Sequence, residues 1–215
     1  PQEDQVPQAF SMDDNGNQAL AQLGLIVIHI GYRGGSMFRG KNFYNFGYGN
    51  LRDYPLADCK FAIEQLADRY AYIDRDRVGI YGHSGGGMMA AAAILTYPDF
   101  FKVAVAASGN YDNNIYTKWW GEMYHGVKMK VKKDADGIKK YIFESKIPTI
   151  MELAANLKGK LLLVTGDMDI NVHPANTFRL ANALIKADKL FDMMVIPGAD
   201  HSIDSPYYFN LLRHY

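Results

Sequence analysis

The stretch that decides the fold is Val78-Gly79-Ile80-Tyr81-Gly82-His83-Ser84-Gly85-Gly86-Gly87, which an alanine-rich run from Met88 to Leu95 follows. An apolar strand, a Gly-x-Ser-x-Gly turn and a small-residue helix in this order form a nucleophile elbow. The turn is so tight that we expect it to require glycine at Gly82 and Gly85. The pattern predicts that Ser84 is exposed at the carboxyl end of a strand and acts as the nucleophile of a serine hydrolase.

The elbow pattern has a plain alternative. Gly-x-Ser-x-Gly also arises by chance, and a serine before a helix is often only an N-cap. The apolar strand before Ser84 and the small-residue helix after it favour the nucleophile.

Length and composition indicate one soluble globular domain. The chain has 215 residues, of which 48% are apolar and 21% charged, and both fractions are ordinary for a soluble protein. The formal net charge is zero, which argues against nucleic acid as the main partner. The longest apolar runs are far shorter than the roughly 20 residues of a membrane-spanning helix, so we expect no membrane span.

Cys59 is the single cysteine and therefore has no intrachain disulfide partner. It falls in a helical pattern, where a small core residue is the expected role. Cysteine usage consequently does not fix the compartment. The chain starts at Pro1 rather than Met, so the lack of a visible signal peptide does not fix it either.

Strand-like and helix-like runs alternate along the chain, which indicates an α/β fold with a parallel sheet. We predict strands at 25–30, 78–81, 103–107, 161–165 and 191–196. We predict helices at 51–72, 86–95, 175–187 and 204–215, with a short one ending at Gly24. Residues 110–150 are predicted to be irregular. Their lysines indicate a solvated excursion, which Trp119 and Trp120 are expected to anchor to the body.

The loops after three of these strands carry the remaining candidate catalytic residues. In parallel α/β sheets, catalytic groups gather at the carboxyl ends of the strands. Residues 166–173 include Asp167 and Asp169, and residues 197–202 include His201. The order Ser, Asp, His is that of α/β-hydrolases. His201 would accept the Ser84 proton, and a buried carboxylate would orient its imidazole.

Each catalytic role has rivals in the sequence. Asp167 and Asp169 share one loop, and spacing alone leaves the choice between them open. The rival bases are His29, His83, His125, His173 and His214. The His83 side chain is expected to leave the elbow in another direction. A metal site is disfavoured because no His-x-x-x-His or Cys/His cluster is present, and we expect no cofactor.

These motifs together resemble the C-terminal catalytic domain of the prolyl oligopeptidase family, most closely its dipeptidyl peptidase IV branch. Residues 82–87 resemble that branch's Gly-Trp-Ser-Tyr-Gly-Gly, and residues 166–173 resemble its Gly-Thr-Ala-Asp-Asp-Asn-Val-His. Residues 200–203 resemble Asp-His-Gly-Ile, and Arg33-Gly34-Gly35-Ser36 is similar to an Arg-Gly-Ser segment. Matching by position implies that Asp169 is the triad carboxylate and His201 the base.

The resemblance also implies substrate-binding residues. Tyr111 and Tyr116 match two pocket tyrosines, although they are one residue further apart here, so Tyr116 carries over better. Asn171 matches an asparagine that binds a substrate carbonyl, and Val172 matches a residue that lines the pocket. The alternative is that both tyrosines are core aromatics and that Asn171 and Val172 are turn and packing residues. The backbone N–H of Gly85 would supply one oxyanion donor.

Two features of the family match no residue of this chain. One is a tyrosine in an upstream loop that supplies the second oxyanion donor. The other is a glutamate pair in a β-propeller domain. We therefore expect residues 1–215 to be the α/β-hydrolase catalytic domain of a larger chain with an upstream β-propeller. Missing first strands would leave a sheet edge that favours association, so a homodimer stays open. The resemblance favours an extracytoplasmic location, periplasmic or secreted.

The expected activity is hydrolysis of peptides through a Ser84-Asp169-His201 triad and an acyl-enzyme. The resemblance implies release of N-terminal dipeptides whose second residue is proline or alanine. The alternatives are an acylaminoacyl-peptidase or oligopeptidase, a carboxylesterase or lipase, and a non-catalytic interaction domain with a vestigial site.

Overall fold

The computed structural model describes Val6 and residues 16–215. Its α-helices are α1 (Asn17–Gln22), α2 (Lys41–Tyr44), α3 (Leu56–Arg69), α4 (Gly85–Thr96), α5 (Lys118–Tyr124), α6 (Ala175–Lys186) and α7 (Pro206–His214). Its strands are β1 (Val78–His83), β2 (Phe101–Ala107), β3 (Lys128–Lys133), β4 (Lys139–Glu144), β5 (Lys160–Gly166) and β6 (Asp192–Ile196). Short 3₁₀ helices cover Met37–Arg39, Asn45–Gly47 and Ile150–Asn156.

Four strands form a parallel sheet in the order β1-β2-β5-β6. Their carboxyl ends are in register, since His83 pairs with Ala107 and Gly166 with Ile196. The loops after β1, β5 and β6 therefore open at one edge of the sheet. The predicted parallel α/β architecture is confirmed, as are the four strands predicted from residue 78 onwards.

The core lies on both faces of the sheet because successive residues of a strand point to opposite faces. Ala104 and Ala106 of β2 pack in one cluster with α4 and α6. Val105 and Ala107 pack in another, which Tyr208 of α7 covers. The alanines of α4 are fully buried, and these small side chains let the helix approach the sheet closely.

The prediction of a strand at residues 25–30 is wrong. Those residues have no regular secondary structure, and Leu25 is 56% exposed. A strand exists through its hydrogen bonds to a neighbour, and this segment forms no ladder with β1 in the described part of the chain. Ile28 and Ile30 instead line an open cleft of about 320 Å³ together with Ala62 and Leu66 of α3.

The region predicted to be irregular contains α5 and an antiparallel hairpin of β3 and β4. Every residue of β3 is exposed, so the prediction of a solvated excursion is confirmed, while the prediction of irregular structure is wrong. Trp119 is 61% exposed, which contradicts its predicted anchoring role. Trp120 packs against the core, as predicted.

Candidate active site

Ser84 lies between β1 and α4 in a strained backbone conformation. Its φ is 59° and its ψ is −123°, a region that L-residues rarely adopt without compensating contacts. A Cβ on Gly82 would lie 2.3 Å from the carbonyl oxygen of Gly86, so the prediction that this position requires glycine is confirmed. The Ser84 N–H donates to the Ala107 carbonyl at 2.9 Å. This bond fastens the turn to the end of β2.

Three side chains from three loops meet at this edge of the sheet. The Ser84 hydroxyl donates to Nε2 of His201 across 2.9 Å. Nδ1 of His201 is 2.8 Å from Oδ2 of Asp169. Because an ionised carboxylate can only accept, Nδ1 carries a proton and donates to Asp169, and in the neutral imidazole Nε2 is then the acceptor of the serine proton. The arrangement has the geometry that general-base activation of a serine requires.

The Asp169 carboxylate is held on both oxygens. Its Oδ1 accepts the N–H groups of Asn171 and Val172 at 2.9 and 2.8 Å, and Oδ2 accepts from His201. Asp169 is 1% exposed, so its carboxylate has lost its hydration. The three hydrogen-bond donors compensate for that loss. Asp167 is exposed and its Oδ1 accepts from the Gly198 N–H. Geometry thus favours Asp169 over its neighbour.

The other histidines have different partners. His29 contacts Asn17, His125 accepts from the Leu51 N–H, His173 accepts from the Ala175 N–H, and His214 donates to the Asn210 carbonyl. His201 is therefore the histidine that the structure brings to Ser84.

His83 lies against His201, contrary to the expectation that its side chain leaves the elbow in another direction. Its Nε2 is 2.6 Å from the His201 carbonyl oxygen, and the two ring centroids are 4.8 Å apart. Although the residue is partly exposed, the protein atoms around the ring lower the pKa of His83 by desolvation. The sequence feature that could have identified His83 as part of the site is its position directly before the nucleophile Ser84.

Two of the predicted substrate-binding residues meet beside the triad. The Tyr116 hydroxyl donates to Oδ1 of Asn171 at 2.7 Å, and desolvation raises the pKa of Tyr116. The Tyr116 ring packs edge-on against Trp120 of α5. Tyr116 is therefore held between α5 and the Asp169 loop, with part of its surface open.

Tyr111 and Val172 are buried instead. Tyr111 is 1% exposed and its hydroxyl donates to the Ala106 carbonyl at 2.9 Å. The prediction that Tyr111 lines a substrate pocket is wrong, because its ring fills space in the core cluster beside α4. Val172 is also buried, and its described polar contact to the site is the N–H bond to Asp169.

A buried carboxylate anchors the segment that carries Tyr116. Asp112 is 3% exposed at its side chain and pairs with Arg179 of α6 at 2.8 Å. Its other oxygen accepts the N–H and the side-chain amide of Asn114. The side-chain amide of Asn114 in turn donates to the Ile147 carbonyl, and its Oδ1 accepts the Ile147 N–H. These contacts tie residues 112–116 to α6, the helix that follows the Asp169 loop.

Gly85 begins α4. The first N–H groups of a helix have no acceptor within it, and the positive end of the helix dipole favours negative charge there. The Gly85 N–H is thus available beside the Ser84 hydroxyl.

No group of three or more His, Cys, Asp or Glu side chains is arranged to hold a metal ion among residues 16–215 and Val6. Within the same described part, no helix is both long and apolar enough to cross a membrane.

The sheet, the elbow and the Ser84–His201–Asp169 contacts define an α/β-hydrolase. Residues 10–211 match the model of the prolyl oligopeptidase family, and the chain belongs to that family of serine peptidases.

Similar proteins include dipeptidyl peptidase 8 of Homo sapiens, which is 32% identical over 87% of this chain and 20% of its own length. Prolyl endopeptidase FAP of Mus musculus is 27% identical over 85% of this chain and 23% of its own length. The crystal structure of Porphyromonas gingivalis dipeptidyl peptidase 4 superposes with a TM-score of 0.81 at 28% identity, over 100% of this chain and 29% of that one. The chain thus spans less than a third of the length of these relatives.

Proposed function

We propose that this chain is the catalytic domain of a serine peptidase that cleaves peptide bonds through a Ser84-Asp169-His201 triad. The observation that carries the proposal is the pair of hydrogen bonds that joins the three side chains, at 2.9 and 2.8 Å. Membership of the prolyl oligopeptidase family supports the same chemistry.

In the proposed mechanism, Ser84 Oγ attacks the carbonyl carbon of the scissile bond while His201 Nε2 takes the hydroxyl proton. The carbonyl oxygen becomes an oxyanion that the Gly85 N–H stabilises. His201 then gives its proton to the leaving amine, and the C–N bond breaks to leave an acyl-enzyme on Ser84. Water, activated by His201, hydrolyses the ester and restores the serine. Asp169 keeps Nδ1 protonated throughout and stabilises the imidazolium.

The proposed substrates are peptides with proline or alanine in the second position, released as N-terminal dipeptides. Two of the three similar proteins are named dipeptidyl peptidases, which supports the release of dipeptides, and the third is named a prolyl endopeptidase, which supports cleavage at proline. Tyr116 and Asn171 are proposed to contact the substrate, because their polar ends lie beside Asp169 and are partly open. Tyr111 and Val172 would then support the pocket from behind through packing.

We also propose that the chain works within a larger protein with an upstream β-propeller, as a homodimer in an extracytoplasmic compartment. This chain spans less than a third of the length of its relatives, which supports the proposal that it belongs to a larger protein.

Labelling with a fluorophosphonate probe tests the proposal. An activated serine forms a covalent bond to the probe's phosphorus and expels fluoride. We expect the wild type to be labelled and Ser84→Ala to be unlabelled, both in the 215-residue chain and in the full-length natural protein. Failure of both folded wild-type preparations to react would contradict the proposal. A labelled protein that cleaves N-terminally blocked peptides but leaves free Xaa-Pro peptides intact would contradict the dipeptidyl assignment alone.

A further inference from the structure

The bond between the His83 side chain and the His201 backbone has a defined direction. The His201 carbonyl oxygen can only accept, so His83 Nε2 must carry the hydrogen across the 2.6 Å contact. Because desolvation lowers the pKa of His83, its neutral Nε2–H tautomer makes this bond at neutral pH. The donor is the residue directly before the nucleophile, and the acceptor belongs to the base.

The loop that carries His201 is fastened on its other side to the end of β5. The Met168 N–H donates to the Ala199 carbonyl at 3.0 Å, and the Gly198 N–H donates to Asp167. A Cβ on Gly166 would lie 2.2 Å from the Ala199 oxygen, so the two backbones touch. These contacts fix His201 relative to Asp169. The position of this loop relative to Ser84 also depends on its contacts with β1, at whose end the elbow begins.

His83 supplies such a contact, since β1 ends at His83. We propose that His83 is a positioning residue of the active site, whose hydrogen bond to the His201 carbonyl sets the distance between Ser84 Oγ and His201 Nε2. The inference rests on the proposed function and adds to the triad a residue that touches neither the substrate nor the transferred proton. Loss of the bond would let the His201 loop drift from the elbow while its bond to Asp169 persists.

Three variants test the inference. His83→Phe keeps a ring of similar size but removes the donor. His83→Gln restores an N–H group at a reach similar to that of imidazole Nε2. His214→Phe is the matched control, because His214 also donates to a backbone carbonyl, that of Asn210, but lies in the last helix. The readouts are the rate of fluorophosphonate labelling, kcat and KM for a peptide substrate, and the Tm.

We expect His83→Phe to lower the labelling rate and kcat by about 10- to 100-fold, since a displacement of about 1 Å in a catalytic constellation can cost that much. KM should change less than about twofold, because the bond lies outside the substrate site. His83→Gln should recover most of the rate, and His214→Phe should match the wild type. If His83 had only a structural role, His83→Phe would lower the Tm. Its kcat and labelling rate would then fall only in proportion to the fraction of protein that is unfolded.

The outcomes separate this inference from the proposed function. Wild-type rates in His83→Phe, with labelling still abolished in Ser84→Ala, would overturn the role of His83 and leave the triad intact. Equal rate losses in His83→Phe and His83→Gln at unchanged Tm would also overturn it, because the donor would then be irrelevant. Wild-type preparations of the 215-residue chain and of the full-length protein that are folded but both unreactive would refute the proposed function itself.

Discussion

Asp169→Asn is expected to lower kcat about 10⁴-fold, the size of effect that the same change has in other serine hydrolases. The reason lies in the three bonds of the carboxylate. Two backbone N–H groups hold Oδ1, so the oxygen of an asparagine would stay on that side. Its NH₂ group would then face His201 Nδ1. Nδ1 would have to accept rather than donate, which places the ring proton on Nε2.

A proton on Nε2 removes the lone pair that receives the Ser84 proton. The expected loss therefore arises from the wrong tautomer rather than from a lost fold, and the Tm of Asp169→Asn should stay within a few degrees of the wild type. The measurement is kcat with a peptide substrate under saturating conditions. Asp167→Asn is the matched control, since its Oδ1 accepts from the Gly198 N–H and an amide oxygen can do the same. A loss below about tenfold for Asp169→Asn would refute the triad assignment.

The parts of the site that the sequence predicted are those that depend on local chemistry and on strand ends. Ser84 was predicted because glycine at Gly82 and small residues in α4 are needed for the turn itself. Asp169 and His201 were predicted because parallel strands end at one edge, whatever the packing of the remaining chain. Spacing alone left Asp167 and Asp169 as alternatives, and the resemblance to the family favoured Asp169. The coordinates add the physical difference between them, since Asp169 is buried and Asp167 is exposed.

The parts that were wrong depend on distant contacts. Residues 25–30 are apolar except for His29 and rich in isoleucine, but a strand needs a partner, and Ile28 and Ile30 lie beside α3 instead. Tyr111 lies in a segment whose sequence resembles the one that carries the family's pocket tyrosines. Its hydroxyl nevertheless donates a hydrogen bond to the Ala106 carbonyl in the core. The predicted direction of the His83 side chain was wrong, because the carbonyl that accepts its hydrogen bond lies 118 residues further along the chain. The position of His83 next to Ser84 marks the residue, but sequence spacing does not show where its side chain points.

The second large effect concerns stability and is expected for Gly87→Ala. Gly87 lies in the first turn of α4, where the helix crosses the end of β2. A Cβ there would be 2.3 Å from the Ala107 carbonyl oxygen and 3.1 Å from the Ala107 carbon and nitrogen. These are backbone atoms of a central strand, so neither side can move cheaply. Overpacking of this kind costs about 3 kcal/mol.

The same carbonyl oxygen accepts the Ser84 N–H, so a shift of Ala107 would also loosen the nucleophile elbow. Gly86→Ala is the matched control, because a Cβ on Gly86 has no described atom within 4 Å and alanine favours the helix. Chemical denaturation and thermal unfolding measure both variants. We expect Gly87→Ala to lose about 3 kcal/mol of unfolding free energy and roughly 10 °C in Tm, with Gly86→Ala unchanged or slightly more stable. Equal stability of the two variants would contradict the close contact between α4 and β2, and with it the elbow geometry that positions Ser84.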